Sequence, residues 1–263
     1  MEIDVLMGPA EFERLAGRVL PGVVCVVFDV LRATSTAVTA LMNGAEGILP
    51  VATVDEALAA WRGDEELLLA GERGGLRIGV EITGGRAFDL GNSPREFGRE
   101  RVSGRRIAMT TTNGTRALRA CAGAEAVLAG SFLNLAAVAA AATGLGADKI
   151  LLVCSGTGES TALEDALAAG AFCERWMGRG DFGDAAWLVW EAWNVAKADL
   201  LGAMGRARNA RRLRSIPELS PDVELCLRVD SLNGVPCLGR DGWLRLGGVG
   251  AAPRGLDPGQ VSS

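Results

Sequence analysis

Four stretches of this chain place acids, hydroxyls and glycines directly after apolar runs, and those are the residues that could do chemistry. Val23 to Thr39, VVCVVFDVLRATSTAVT, carries Asp29, Arg32 and the hydroxyl cluster Thr34, Ser35 and Thr36. Leu67 to Ala70 runs into Gly71-Glu72-Arg73-Gly74-Gly75, and Arg106 to Met109 runs into Thr110-Thr111-Thr112-Asn113-Gly114-Thr115. Lys149 to Cys154 is followed by Ser155-Gly156-Thr157-Gly158-Glu159-Ser160, then by Glu164 and Asp165. Hydroxyls and glycines at a helix start suit a phosphate, because glycine lets backbone N–H groups approach and Thr or Ser adds donors without charge. Carboxylates gathered beside such turns repel one another unless a cation lies between them, and an all-oxygen set suits Mg²⁺. The candidate cation ligands are therefore Asp29, Glu72, Glu164 and Asp165, and the candidate catalytic residues are Asp29, Arg32, Glu72 and Asp165.

Each feature also has a purely structural reading. Asp29 and Arg32 can pair with each other, Thr34 or Ser35 can be an N-cap, and Asp89 can cap a loop. Glu164 and Asp165 in a first helical turn stabilise the dipole by roughly 0.3–1 kcal/mol with no catalytic role. Asp29 and Glu72 are harder to dismiss, since each follows an apolar strand that would otherwise carry no charge.

Composition narrows the chemistry. The chain has no His and no Tyr, which excludes His-based phosphotransfer, Ser-His-Asp hydrolysis and His-ligated zinc. No GxxxxGK[ST] occurs and no GxGxxG follows a strand, so ATP and dinucleotides are disfavoured. Ser160 stands where a cysteine-dependent phosphatase would carry Arg after Cys154. A formal net charge of −5 argues against nucleic acid, which needs a basic face. The longest apolar runs, such as Leu135 to Ala142, are too short to cross a bilayer, and the N-terminus does not read as a secretory signal, so a cytoplasmic location is expected. The six cysteines form no CxxC pair and read as small buried hydrophobes. The basic stretch Arg206 to Arg214, RARNARRLR, is either a solvated helix or a lid or pocket wall that attracts anions.

The elements that must position these residues follow from periodicity. Val23 to Val30 reads as a buried central strand with a helix beginning near Thr34. Residues 2 to 7, Ala45 to Pro50, Leu67 to Ala70, Arg106 to Met109, Val127 to Ala129 and Lys149 to Cys154 read as further strands. Helices are predicted over Phe12 to Leu20, Val54 to Arg62 with Thr53 as N-cap, Arg116 to Ala122, Ala162 to Met177, Glu191 to Asp199 and Gly205 to Leu213. Another small-residue helix opens at Ser131 and Asn134. Gly79 to Pro94 is an ordered loop whose Asp89, Asn92 and Ser93 can face a site, Ile216 to Asp222 is a loop, and the end, AAPRGLDPGQVSS, is expected to fray. Right-handed crossovers put every βα turn on one side, so the FDVLRATST, TTTNGT and SGTGEST turns converge at one sheet edge. The expected fold is α/β, a three-layer α/β/α with a largely parallel or mixed central sheet. It forms one domain over 1–263, or two lobes with residues after about 185 completing the site.

Specific motifs extend this reading. FDVLRATST at Phe28 to Thr36, LAGERGG at Leu69 to Gly75, FDLGNSPREF at Phe88 to Phe97, TTNGTRAL at Thr111 to Leu118, GSFLN at Gly130 to Asn134, CSGT with LEDALAAG to Gly170, and VPCL at Val235 to Leu238 occur in this order over nearly the whole chain. In them the chain resembles the 2-phosphosulfolactate phosphatase family. The resemblance implies a Mg²⁺-dependent acid phosphatase that hydrolyses 2-phosphosulfolactate to sulfolactate, a step of coenzyme M biosynthesis, or a related sulfonate pathway. It supplies no catalytic residues, so those stay inferred from position and chemistry. Arg32 with the Thr111–Thr115 turn, including Thr112, Asn113 and Gly114, and with Ser155, Gly156 and Thr157, is expected to hold the phosphate, helped by Thr34, Ser35 and Thr36. Arg73 or Arg116 is expected to take the sulfonate or carboxylate. Attack by a metal-oriented water is favoured over an aspartyl-phosphate on Asp29, because Leu31 stands where that scheme's second acid would be; a Thr34 or Ser35 nucleophile would still need a base. The alternatives are a non-catalytic binding protein for a phosphorylated small acid, or a phosphatase for another small phospho-acid. The sequence leaves a homo-oligomer open.

Overall fold

The apolar runs become strands and the small-residue runs become helices in a repeating strand-turn-helix order. The computed structural model describes residues 1–247, and the AAPRGLDPGQVSS end expected to fray lies outside them. The chain opens with β1 (Glu2–Leu6) and the turn α1 (Pro9–Phe12), then enters β2 (Leu20–Phe28). The helix expected over Phe12 to Leu20 is confined to α1 and a 3₁₀ turn at Glu13–Leu15, because Gly17 at φ +74° breaks the helical run. Next come α2 (Ala33–Met42), β3 (Gly47–Pro50), α3 (Val54–Gly63), β4 (Leu68–Arg73) and β5 (Leu76–Arg77). Thr53 caps α3 by accepting the Glu56 N–H at 3.0 Å.

The middle of the chain forms the turns α4 (Val80–Thr83) and α5 (Arg99–Val102), then β6 (Arg106–Thr110), α6 (Gly114–Ala120) and β7 (Ala124–Gly130). It continues with α7 (Leu135–Gly144), β8 (Lys149–Cys154) and α8 (Leu163–Glu174). The last third holds β9 (Asp181–Phe182), α9 (Asp184–Ala196), α10 (Leu200–Ala203), α11 (Arg208–Arg214) and α12 (Ser220–Cys226). A hairpin of β10 (Pro236–Leu238) and β11 (Leu244–Leu246) completes it. Helix α9 starts before the expected Glu191 because Trp193, buried against Phe132 with its indole N–H on Glu174 Oε2 at 2.8 Å, anchors a longer amphipathic face. Helix α12 takes over the end of the expected 216–222 loop, with Pro221 in its first turn, where no N–H is missed.

The strands form one sheet in the order β5-β4-β6-β3-β11-β10-β7-β2-β8-β1-β9. It holds two parallel blocks, β9-β1-β8-β2-β7 and β3-β6-β4, and the antiparallel hairpin joins them through Cys237 opposite Leu128 and Leu244 opposite Ile48. Alternation along β2 divides the core. Val24, Val26 and Phe28 pack on the layer of α7, α8 and α9, whereas Cys25 and Val27 pack on the layer of α2 and α6. The result is a mixed α/β/α sandwich in which the C-terminal ends of β2, β4, β6 and β8 carry the polar turns.

Candidate active site

Asp29 follows the last residue of β2, and the chain turns back over it into α2. Its Oδ1 accepts the Ala33 N–H at 2.9 Å, while the Thr34 hydroxyl accepts the Asp29 N–H at 3.0 Å and donates to the Asp29 carbonyl at 2.9 Å. Gly114, the first residue of α6, packs on this turn so closely that a Cβ there would lie 2.6 Å from both Asp29 Oδ2 and Ala33 Cβ. Only glycine permits that approach, which brings the β6 turn of one parallel block against the β2 turn of the other.

Side chains lock the remaining turns together. The Asn113 amide donates to the Ser155 and Gly158 carbonyls, both at 2.9 Å, joining the β6 and β8 turns. Asp165 accepts the Val30 N–H at 2.9 Å and the Gly156 N–H at 3.0 Å, clamping the ends of β2 and β8. Glu72 accepts the Gly75 N–H at 2.7 Å on one oxygen, and the Thr112 N–H at 2.9 Å and hydroxyl at 2.8 Å on the other. These turns enclose a cavity of about 370 Å³ lined by Asp29, Arg32, Glu72, Asn92, Thr112, Asn113 and Gly156 to Gly158, with Arg208, Asn209 and Arg212 of α11 forming another wall.

The buried acids are perturbed by their surroundings. Burial pushes the Asp29 carboxyl up to about 7, the charges of Glu72 and Glu164 push the same way, and the Ala33 N–H and Arg32 oppose them. Asp165 is raised well above the ordinary carboxylate range by burial and by the charges of Asp29 and Glu164, against the pull of its two N–H donors. Burial raises Glu164 too, opposed by its own backbone N–H and by Asn209. A carboxyl near 7 in a cavity can gain or lose a proton at neutral pH, which is what acid–base chemistry needs in a chain without imidazole.

Among the described residues, several buried oxygens here have no protein partner. They are Glu164 Oε2, Ser155 Oγ, and the side-chain oxygens of Asn92, Asn113 and Asn209, three of which belong to cavity-lining residues. The Asn113 and Asn209 amides are oriented by their NH₂ groups, which donate to backbone carbonyls, so their oxygens are left over. Buried oxygens without donors are otherwise costly.

The structure redistributes the residues expected from sequence. The hydroxyls of Thr34, Ser35 and Thr36 turn inward to the carbonyls of Asp29, Val30 and Asn92, so they are committed to shaping the turn rather than offered to a phosphate. Thr111 and Thr115 likewise bond each other across the start of α6. Arg73 is directed to Thr110 and its neighbour's carbonyl, and Arg116 pairs with Glu13 and Glu159; neither lines the cavity. Asp89 accepts the Leu69 N–H and pairs with Arg86. Among the described residues no group of three acidic or cysteine side chains is arranged to hold a metal ion, and of the candidate ligands Glu72 and Asp165 have each oxygen already accepting an N–H. Arg32 does line the cavity, yet it pairs with Asp222 at 2.6 Å and with the Gly75 carbonyl at 2.7 Å rather than with Asp29. Asp222 escaped the sequence reading except as the end of a loop, since nothing local marks its partner. The basic run at 206–214 was the signal for the α11 wall.

Buried acids raised above the ordinary carboxylate range at the polar strand ends can do acid–base chemistry in a chain without histidine. Residues 12–241 match the family model of 2-phosphosulpholactate phosphatase, and the chain belongs to that family of phosphoric monoester hydrolases. A probable 2-phosphosulfolactate phosphatase of Thermotoga petrophila is 41% identical over 213 residues, 81% of this chain and 88% of that protein. Proteins of the same description from a Synechococcus strain and from Deinococcus radiodurans are each 39% identical, over 84% and 82% of this chain and 91% and 87% of their own lengths.

Proposed function

We propose that this chain hydrolyses 2-phosphosulfolactate to sulfolactate and phosphate with Mg²⁺, acting in the cytoplasm within coenzyme M or related sulfonate metabolism. The observation that carries the reading is Asp29, its carboxyl near 7, on the wall of a cavity built from strand-end turns. The phosphate lies against the Thr112–Asn113 and Gly156–Gly158 turns, where glycine gives the backbone close approach. The oxygens of Glu164, Asn113 and Asn209, unpartnered among the described residues, are donors of the kind Mg²⁺ takes, an ion that needs only one or two carboxylates and keeps sites for water and substrate phosphate. When bound there, the ion would neutralise phosphate charge in the transition state. Asp29 orients the attacking water and takes its proton, Glu72 fixes the Thr112 turn, and Asp165 holds the β2 and β8 ends at their separation. The six free cysteines support a reducing compartment.

Phosphate release from 2-phosphosulfolactate is measured with Mg²⁺ and again with EDTA. Release that needs the ion supports the reading. No release under either condition leaves a binding protein for a phosphorylated acid instead.

A further inference from the structure

Two arginines on the cavity wall have no acidic partner among the described residues. Arg208 and Arg212 lie one turn apart on α11, both are exposed, and among the described residues neither enters an ion pair. The third cation of the wall, Arg32, is already held by Asp222 and the Gly75 carbonyl. Helix α11 is itself fixed: Ala210 and Leu213 are buried in the core, and the Asn209 amide between the two arginines donates to the Leu31 carbonyl. Arg212 reaches over the β4–β5 turn, its Nη2 only 3.2 Å from where a Cβ on Gly75 would sit. Side chains at i and i+4 emerge about 5–6 Å apart, so two guanidinium groups leave the same face of α11, and among the described residues neither has an ion-pair partner.

We propose that Arg208 and Arg212 bind the sulfonate of the substrate and so set a preference for a phosphorylated sulfonic acid over a phosphorylated acid lacking that group. The proposal rests on the phosphatase reading above. The phosphate turns occupy the strand-end side of the cavity, and α11 forms a separate wall, so one small substrate carrying two strong anions spans them. A sulfonate presents three oxygens in a pyramid and accepts two arginine forks from two directions, whereas a planar carboxylate is filled by one bidentate fork. A sulfonate also stays ionised throughout the working pH range.

The test compares 2-phosphosulfolactate with 2-phospholactate, which has a methyl group in place of the sulfomethyl, in wild type, Arg208→Gln and Arg212→Gln. In each variant the ratio of kcat/KM for the two esters is expected to fall at least tenfold, chiefly through KM for the sulfonate ester. An equal fall for both esters would mean a general structural role and would overturn the proposal, as would no fall in either. Calorimetric titration with 3-sulfolactate, which carries no phosphate, separates the two readings. Sulfolactate bound at least tenfold more weakly by both variants supports the subsite even if no ester is hydrolysed, in which case only the phosphatase reading falls. Equal affinity for all three proteins, or no binding by wild type, overturns the subsite.

Discussion

Arg32 and Asp222, 190 residues apart in the chain, form a fully buried ion pair at 2.6 Å on the inner side of the cavity. Asp222 also accepts Arg95 Nε and the Ser93 hydroxyl, both at 2.7 Å, so one carboxylate from α12 holds the β2 turn and the 79–94 loop together. Removing one member of a buried pair leaves the other charge uncompensated. Asp222→Ala is therefore expected to lower stability by about 3–5 kcal/mol in urea unfolding, and a change under 1 kcal/mol would contradict the assigned network.

Arginine at position 32 serves two acceptors in different directions, Asp222 Oδ2 and the Gly75 carbonyl. Lysine keeps the charge but not the fork, so Arg32→Lys is expected to cut kcat/KM at least tenfold while remaining folded by circular dichroism. Activity within about threefold of wild type, below roughly 1 kcal/mol, would show that Arg32 does not shape the site.

Gly114 is one of the points where the turns of the two parallel blocks touch. Gly114→Ala inserts a methyl 2.6 Å from Asp29 Oδ2 and must push α6 off the β2 turn. Overpacking of this kind costs about 1–3 kcal/mol. Phosphatase activity should fall more than the melting temperature suggests, because the displaced group is Asp29 itself. Full activity in this variant would sink the assignment of Asp29 to the reacting centre.

Metal-free protein should become less stable as pH rises from about 4 to about 7. The Asp29 carboxyl titrates near 7 when folded against an ordinary 3.8, so across that window the folded state keeps a proton that the unfolded state has lost, and stability falls with pH. Asp165 and Glu164 are raised as well and steepen the slope. Melting in EDTA at pH 5.5 and pH 8 measures it, and Asp29→Asn should flatten the difference by raising the pH 8 value. A slope identical to wild type in Asp29→Asn would show that another group titrates.

Acid quenching after mixing with ³²P-labelled substrate distinguishes water attack from a covalent route. No labelled peptide is expected, because Asp29 lies within a hydrogen-bonded turn suited to orienting water. Label on Asp29 would replace the direct mechanism with an aspartyl-phosphate.

The sequence by itself determined the principal strands and the helices that follow them, the α/β/α class and the strand ends where chemistry gathers. Apolar runs ending in Asp29, Glu72, Thr111 and Ser155 are local signals, and the right-handed crossover rule converts them into one polar edge without knowledge of contacts. Even the length of β8 is legible, since Lys149 and Cys154 bound an uninterrupted buried run. Tertiary structure alone decided which polar atoms face the cavity. The hydroxyls of Thr34, Ser35 and Thr36 look like phosphate donors in sequence, but each finds a buried carbonyl, and an unpaired buried carbonyl costs more than a solvent-facing hydroxyl gains. Arg73 and Arg116 have the same composition signal as Arg208 and Arg212, and only the packing of Ala210 and Leu213 into the core turns α11 toward the site. The pairing of Arg32 with Asp222, and the hairpin β10–β11 that joins the two parallel blocks, depend on contacts far apart in the chain, for which local periodicity carries no information.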